Sequence, residues 1–568
     1  MFKSALLNQL ARSMRIARFA EKHRIPTHHA LEQVHELEYR QQQIKRNRRD
    51  FLALVAGSGA AIGASLLAQP MRAFAGLSSG PRIAIIGGGT AGIVCAEQLA
   101  AKGISATIYE ANPSRLGGRM WSSHRFPGRV VERGGELIDT THKTLLGYVN
   151  ALGLTLEDVN KNPGETFYFF QGKRHSEAQV VDEFREVSKR MQADLKSLGQ
   201  PTFFNHTEAE KKLDFTDLAT YLDRYASDFP LIRGVLDVAY TIEYGLETHQ
   251  QSCLNFLLFI HLDRRSHFDP FGIFSDERYH IIEGSDQVPL RLAQQLPGTI
   301  QTEMYLTRLR RNGLGQFELF FNNTLTPEYA DAVVLAIPFS VLRTVELDKS
   351  LGLSEDKKRA INEFGYGQNA KTMLGFNGKP WRDAGCNGDI YSDLSNLQNT
   401  WETNYSNTAT VAVLTDYAGG NRARDLQFMP QKGLGNCSLC HSGNNPTSGN
   451  FMNIDDSNIQ TQTDAFLDDL NKIIPGAKQS ATRIGNEYLA ERAHWGQQSY
   501  SLGSYSGNRP GYFTTIAGLE AQSVGALKFA GEHTNSFYEW QGFMEGAALS
   551  GVVAAQELLA DIKARRIG

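Results

Sequence analysis

Ile83-Ala84-Ile85-Ile86-Gly87-Gly88-Gly89-Thr90-Ala91-Gly92 decides the fold. Four apolar residues, three of them β-branched, read as a buried strand, and Ile93 to Lys102 follows with helical spacing. Ala106-Thr107-Ile108-Tyr109-Glu110 reads as the next strand and ends on an acid. Strand, Gly-x-Gly-x-x-Gly, helix, strand, acid is the order of a nucleotide cradle. Gly87 permits the tight turn, Gly89 lets backbone approach a pyrophosphate, and Gly92 lets helix and strand pack closely. The helix N-terminus offers N–H groups to phosphates, and Glu110 accepts from ribose hydroxyls.

Outward from this cradle, the composition is that of an ordinary globular protein. At 568 residues, the length prior is about three to four structural units. A formal charge of −3 leaves no electrostatic footprint for nucleic acid. Five cysteines in so long a chain exclude a disulfide scaffold.

The front end is a different object. Residues 1–75 hold twelve Lys/Arg against five Asp/Glu. Arg48-Arg49 precedes an uncharged Ala/Gly/Leu-rich stretch running to Leu67, and Ala73-Phe74-Ala75 then gives a small-x-small cleavage pattern. This resembles a twin-arginine signal, so the expectation is export by that machinery to the periplasm or beyond.

The residues after Glu110 choose between NAD and FAD. Arg115-Leu116-Gly117-Gly118-Arg119 places two arginines and a glycine pair beyond the ribose acid. Far along the chain, Phe529-Ala530-Gly531-Glu532-His533-Thr534 and Gly542-Phe543-Met544-Glu545-Gly546-Ala547 form a second turn leading into a helix. A cofactor reaching both ends of the chain fits FAD better than NAD.

With Glu132-Arg133-Gly134-Gly135-Glu136 and Ala336-Ile337-Pro338, these motifs resemble the flavin amine oxidase family of monoamine, polyamine and L-amino-acid oxidases. The resemblance implies an α/β fold: a Rossmann-type FAD-binding domain with an interleaved α+β substrate domain. The expected parts are 1–75, the extension and signal; 80–145, 276–345 and 481–568, the FAD domain; and 146–275 and 346–480, the substrate domain. Gly134, Gly135, Gly531, Glu532 and Met544 join Gly118, Arg115 and Arg119 as expected cofactor contacts.

The family chemistry passes hydride from the substrate Cα to flavin N5, so the protein supplies orientation, a neutral amine and a dry slot. Lys371, ahead of Lys379-Pro380-Trp381, matches the family lysine that holds a water at the flavin, and its apolar neighbours predict burial. Tyr505 and Phe543 resemble the two aromatic walls, and Trp540 and Trp495 are further aromatic candidates. Ser504 stands where some relatives attach FAD through cysteine, so FAD is expected to be non-covalent. No metal site is expected.

Substrate class is open between L-amino acids and mono- or polyamines. Glu136-Leu137-Ile138-Asp139 lacks the arginine that many L-amino-acid oxidases place there, whereas Glu243-Tyr244-Gly245 resembles bacterial members acting on basic amino acids. Arg278 is a candidate for the substrate carboxylate, and Glu136, Asp139 and Glu243 are candidates for a distal ammonium. An unpaired buried acid is costly, so at least one of these acids needs a cationic partner. Residues 419–462 form a Gly- and Asn-rich insertion that contains Cys437-Ser438-Leu439-Cys440-His441. Cys-x-x-Cys-His is the haem c attachment signature, and a loop-closing disulfide or an incidental metal site is the alternative. Haem would pass electrons to a periplasmic carrier; without it O2 is the expected acceptor. A homodimer is allowed, and a non-catalytic flavin-binding module is the reading from another class.

Overall fold

The computed structural model describes Thr27 and residues 80–159, 163–261, 277–403, 411–426, 451–452, 457–535 and 540–567. The twin-arginine segment and Cys437, Cys440 and His441 lie outside the described residues. Among the described residues no helix is long and apolar enough to cross a membrane, and no cluster of His, Cys, Asp and Glu is placed to hold a metal.

Five strands form a parallel sheet in the order Leu527–Phe529, Ala332–Leu335, Ile83–Ile86, Ala106–Tyr109, Ile300–Gln301. Ile83–Ile86 lies in the middle, with the chain crossing over to either side of it. Its C-terminal end is therefore the switch point at which such sheets bind ligands. Alternation builds both faces. Ile83, Ile85, Ile108 and Val334 pack into one core with Val94 and Leu99 of the helix Thr90–Ala100. Ala84, Ile86, Tyr109 and Leu335 pack into the other. A four-stranded sheet covers that second face, where Phe321 stacks on Tyr109 with ring centroids 4.8 Å apart.

Two glycines make the turn possible. Gly87 holds φ +109°, and a Cβ there would meet the Ala336 carbonyl oxygen at 2.7 Å. A Cβ on Gly92 would fall 2.1 Å from the Gly87 carbonyl oxygen, so any side chain pushes the helix off the strand.

An eight-stranded mixed sheet makes the second layer, in the order Phe451–Met452, Ala490–His494, Asn369–Asn377, Val411–Gly419, Leu397–Thr403, Cys386–Leu394, Glu165–Phe170, Lys173–His175. Asn369–Asn377 is buried except for its last residue, and Lys371 pairs across to Tyr417 on one side and Ala493 on the other. The helix Glu177–Arg190 is amphipathic and buries Val180, Val181, Phe184 and Val187. The Gly- and Asn-rich insertion is regular at its margins, with helices at Gly420–Asp425 and from Ser457. The C-terminal helix Met544–Lys563 ties the ends of the chain together. Its Glu545 carboxylate accepts from the backbone N–H groups of Thr144 and Leu145 at 2.9 and 2.7 Å, capping the helix Lys143–Ala151.

Candidate active site

A cleft opens at the switch point, with about 1170 Å³ of empty space when its open mouth is included. Gly87, Gly89, Glu110, Arg115, Gly118, Arg119, Gly135, Gly531, Glu532 and Met544 line it, together with Trp495 and Phe543. Segments near both ends of the described chain therefore meet in one groove, as expected for an extended dinucleotide. Gly92 and Gly134 lie behind this surface, where a Cβ on Gly134 would meet the Arg119 carbonyl oxygen at 1.9 Å.

Local bonding sets the electrostatics. Glu110 accepts from the N–H groups of Gly88 at 2.6 Å and Asn112 at 2.7 Å, so the ribose acid is locked to the glycine turn. Burial raises its carboxyl above the usual range, against those N–H groups and Arg115. Arg115 donates to the Gly118 carbonyl at 2.7 Å and lies over the Trp121 ring, and burial lowers it to about 10. Arg119 donates to Glu532 and to the Ser504 carbonyl, each at 2.9 Å. Glu532 also accepts from the Gly542 N–H at 2.7 Å and from the Ser506 hydroxyl. Burial alone would raise this carboxyl; Arg119, His533 and these donors outweigh it and hold it below the usual range.

Two donors on the cleft wall, Arg115 Nε and Gln498 Nε2, are buried with no hydrogen-bond partner among the described residues. Such groups are costly unless a bound molecule accepts from them. Cleft volume, bare glycine backbone, ribose acid and orphaned donors all fit FAD. None of the described cysteines lines the cleft: Cys95, Cys253 and Cys386 are buried elsewhere.

Lys371 is 2% exposed. Its ammonium donates to the carbonyls of Gly134 at 2.9 Å and Glu132 at 3.2 Å, and to Glu136 Oε2 at 2.8 Å. Glu136 Oε1 accepts from the Trp401 indole at 3.1 Å. Burial lowers the Lys371 ammonium, and Glu136 pulls the other way. Lys371 is thus the cationic partner that a buried acid in this loop required. Glu136, a candidate for the distal ammonium, is committed to it instead.

Phe543 lines the cleft, and Tyr505 lies against the adjoining Gly542, within 3.4 Å of where a Cβ would stand. The Tyr505 hydroxyl donates to the Glu243 carbonyl and sits 3.1 Å from that of Tyr417. His142 meets Phe543 and Trp540 edge-on, with ring centroids 5.1 and 5.5 Å apart. The other substrate candidates fare differently. Asp139 Oδ2 lies 3.2 Å from His142 Nε2, beside this aromatic group. Arg278 pairs with Asp158 at 2.8 Å, so its guanidinium is already engaged by a carboxylate of the chain. Sequence reasoning missed Trp401, Tyr417 and the buried His280, whose ring lies 3.9 Å from Glu132 and 3.7 Å from Glu157. No spacing signal marks them, because they come together only through sheet pairing.

Residues 90–436 and 446–559 match the family of flavin containing amine oxidoreductases. The unmatched break, 437–445, holds Cys437, Cys440 and His441. An L-amino-acid oxidase of Pseudechis australis is 23% identical over 502 residues, covering 86% of this chain and 89% of that protein. The flavin-dependent L-tryptophan oxidase of Lentzea aerocolonigenes is 26% identical over 520 residues, covering 84% and 98%. Among solved structures, cyclohexylamine oxidase from Brevibacterium oxydans superposes with a TM-score of 0.69 at 21% identity, covering 85% of this chain and all of that one. A putrescine oxidase bound to putrescine gives 0.67 at 18%, covering 84% and 99%. These likenesses show the same fold. With the family match spanning most of the sequence and the cleft built to hold FAD, the chain belongs to the flavin-containing amine oxidoreductase family and is an FAD-dependent oxidase.

Proposed function

We propose that this oxidase deaminates L-amino acids, basic ones among them, to 2-oxo acids and ammonia, with O2 as the electron acceptor and H2O2 as its product. One observation carries the reading: the buried Lys371–Glu136 pair is bonded to the very loop whose Gly135 lines the cleft, beside Phe543 and Tyr505. The relatives named L-amino-acid oxidase and L-tryptophan oxidase, matched over most of their length, support it.

FAD, when bound, would accept the C–H hydride next to the amine, one proton with its two electrons, and pass that electron pair on to O2. The chain does the rest. Gly87, Gly89 and the N-terminus of Thr90–Ala100 receive the pyrophosphate, Glu110 the ribose, and Arg115 with Gln498 supplies unspent donors. Ser504, at the attachment position of some relatives, leaves the cofactor non-covalent. Phe543 and Tyr505 orient the amine and exclude water. Lys371 spends N–H bonds on the Glu132–Glu136 loop and fixes Gly135 at the cleft wall. For it to orient a water, one of those bonds has to be given up.

A second reading, oxidation of mono- or polyamines, is favoured by the arginines. Arg119, Arg133 and Arg278 each pair with an acid of the chain, so no substrate carboxylate is needed to satisfy them. Matched amino acids and their decarboxylated amines, assayed for peroxide and with an artificial dye, separate the two; turnover of the amines alone overturns the first. Export through the twin-arginine route and the haem c reading of Cys437, Cys440 and His441 rest on the sequence. A purified protein with a flavin-only spectrum removes the haem.

A further inference from the structure

One buried acid beyond the Lys371–Glu136 pair accepts no hydrogen bond among the described residues. Glu277 is 5% exposed, and neither carboxylate oxygen has a hydrogen-bond partner among the described residues. Its backbone N–H donates to Asp139 Oδ1 at 2.7 Å, and its φ of +38° holds a non-glycine residue in the left-handed region. Burial, with Asp139, Glu243 and Asp389 around it, keeps its carboxyl well above the usual range. Lys371 feels its charge but is bonded to Glu136.

The position matters. Asp139 links Glu277 to His142, and His142 packs edge-on against Phe543 on the cleft wall. The charge of Glu277 also reaches Tyr391 and Tyr417, and the Tyr417 hydroxyl contacts that of Tyr505. Glu277 thus stands behind both aromatic residues of the reacting end, in surroundings rich in carboxylates. A buried acid in such surroundings ionises when a cation comes to it.

We infer that Glu277 is a specificity-determining residue that receives the distal cation, an ammonium or guanidinium, of an extended substrate whose reacting amine lies at the cleft. The inference rests on the amine oxidation proposed above and names its substrate class: dications with a flexible spacer, amino acid or diamine.

The test compares the flavin-loaded enzyme on chain-matched pairs: L-lysine against L-norleucine, and 1,5-diaminopentane against pentylamine. The wild type is expected to prefer the dication of at least one pair by about tenfold or more in kcat/KM. Glu277→Gln is expected to lower kcat/KM for that dication by about 10- to 100-fold, chiefly through KM, leaving the partner with the uncharged tail within about threefold. Glu277→Asp, which keeps the charge, retains most of the preference. An unchanged ratio between charged-tail and uncharged-tail partners in Glu277→Gln, or a wild type that prefers the uncharged tails, overturns the assignment while leaving amine oxidation standing. Failure of all four compounds to reduce the flavin overturns both.

Discussion

Arg119 and Glu532, 413 residues apart in sequence, meet at 2.9 Å on the wall of the cleft. The contact joins the segment after the first ribose acid to the segment before the C-terminal helix, so the cofactor site and the chain closure share one ion pair. Both partners also bond backbone, at Ser504 and Gly542, which makes the pair part of a network rather than an isolated bridge. Glu532→Ala leaves the half-buried Arg119 without its acid. We expect a loss of about 3–5 kcal/mol in stability and a protein purified with little flavin. Thermal unfolding and the flavin-to-protein absorbance ratio check this. A variant with full flavin and unchanged unfolding contradicts it.

Lys371 and Glu136 are predicted to be coupled. Lys371→Met strands the Glu136 carboxylate at a cost of about 3–5 kcal/mol, and adding Glu136→Gln should recover part of it. A double-mutant cycle by denaturant unfolding measures the coupling; strictly additive losses would mean the pair is not a unit. Because Lys371 braces the loop of Gly135, turnover in Lys371→Met should also fall about 100-fold.

The pH dependence of stability should carry the signature of Glu132. Burial pushes its carboxyl up to about 7, while His280 and the Ser285 N–H pull against that shift. A raised carboxyl is protonated more readily in the folded than in the unfolded chain. Its contribution is therefore present below about pH 4.5 and is lost as pH rises toward 7. Glu132→Gln keeps acceptor and shape. Relative to it, the wild type should lose on the order of 3 kcal/mol across that window. Unfolding curves at stepped pH read this out, and parallel curves for the two proteins would refute it.

Arg278→Met should leave the preference between an amino acid and its decarboxylated amine within about twofold, because its guanidinium already holds Asp158. Steady-state kinetics on matched pairs decides. A selective loss of more than about tenfold on amino acids would return Arg278 to the substrate site.

The cofactor half was legible because its rules are local. Gly87, Gly89 and Gly92 are dictated by backbone clearance, and Glu110 by its place at the end of the next strand, so spacing alone locates them. The substrate side obeys no such rule. Lys371 and Glu136 lie 235 residues apart and meet through a sheet whose pairing no short pattern encodes. Arg278 looked available because sequence shows a charge but not its neighbour. Glu277 escaped notice for the same reason: what distinguishes it is a carboxylate that accepts no hydrogen bond among the described residues, visible only once the surrounding side chains are in place.

The most direct measurement is anaerobic mixing of the purified, flavin-loaded enzyme with L-lysine and with 1,5-diaminopentane while the visible flavin band is followed. The account predicts bleaching by at least one of them, then recovery of the band with peroxide release on admitting air. A band that neither compound bleaches, or protein that releases no FAD on denaturation after expression with flavin supplied, would contradict it.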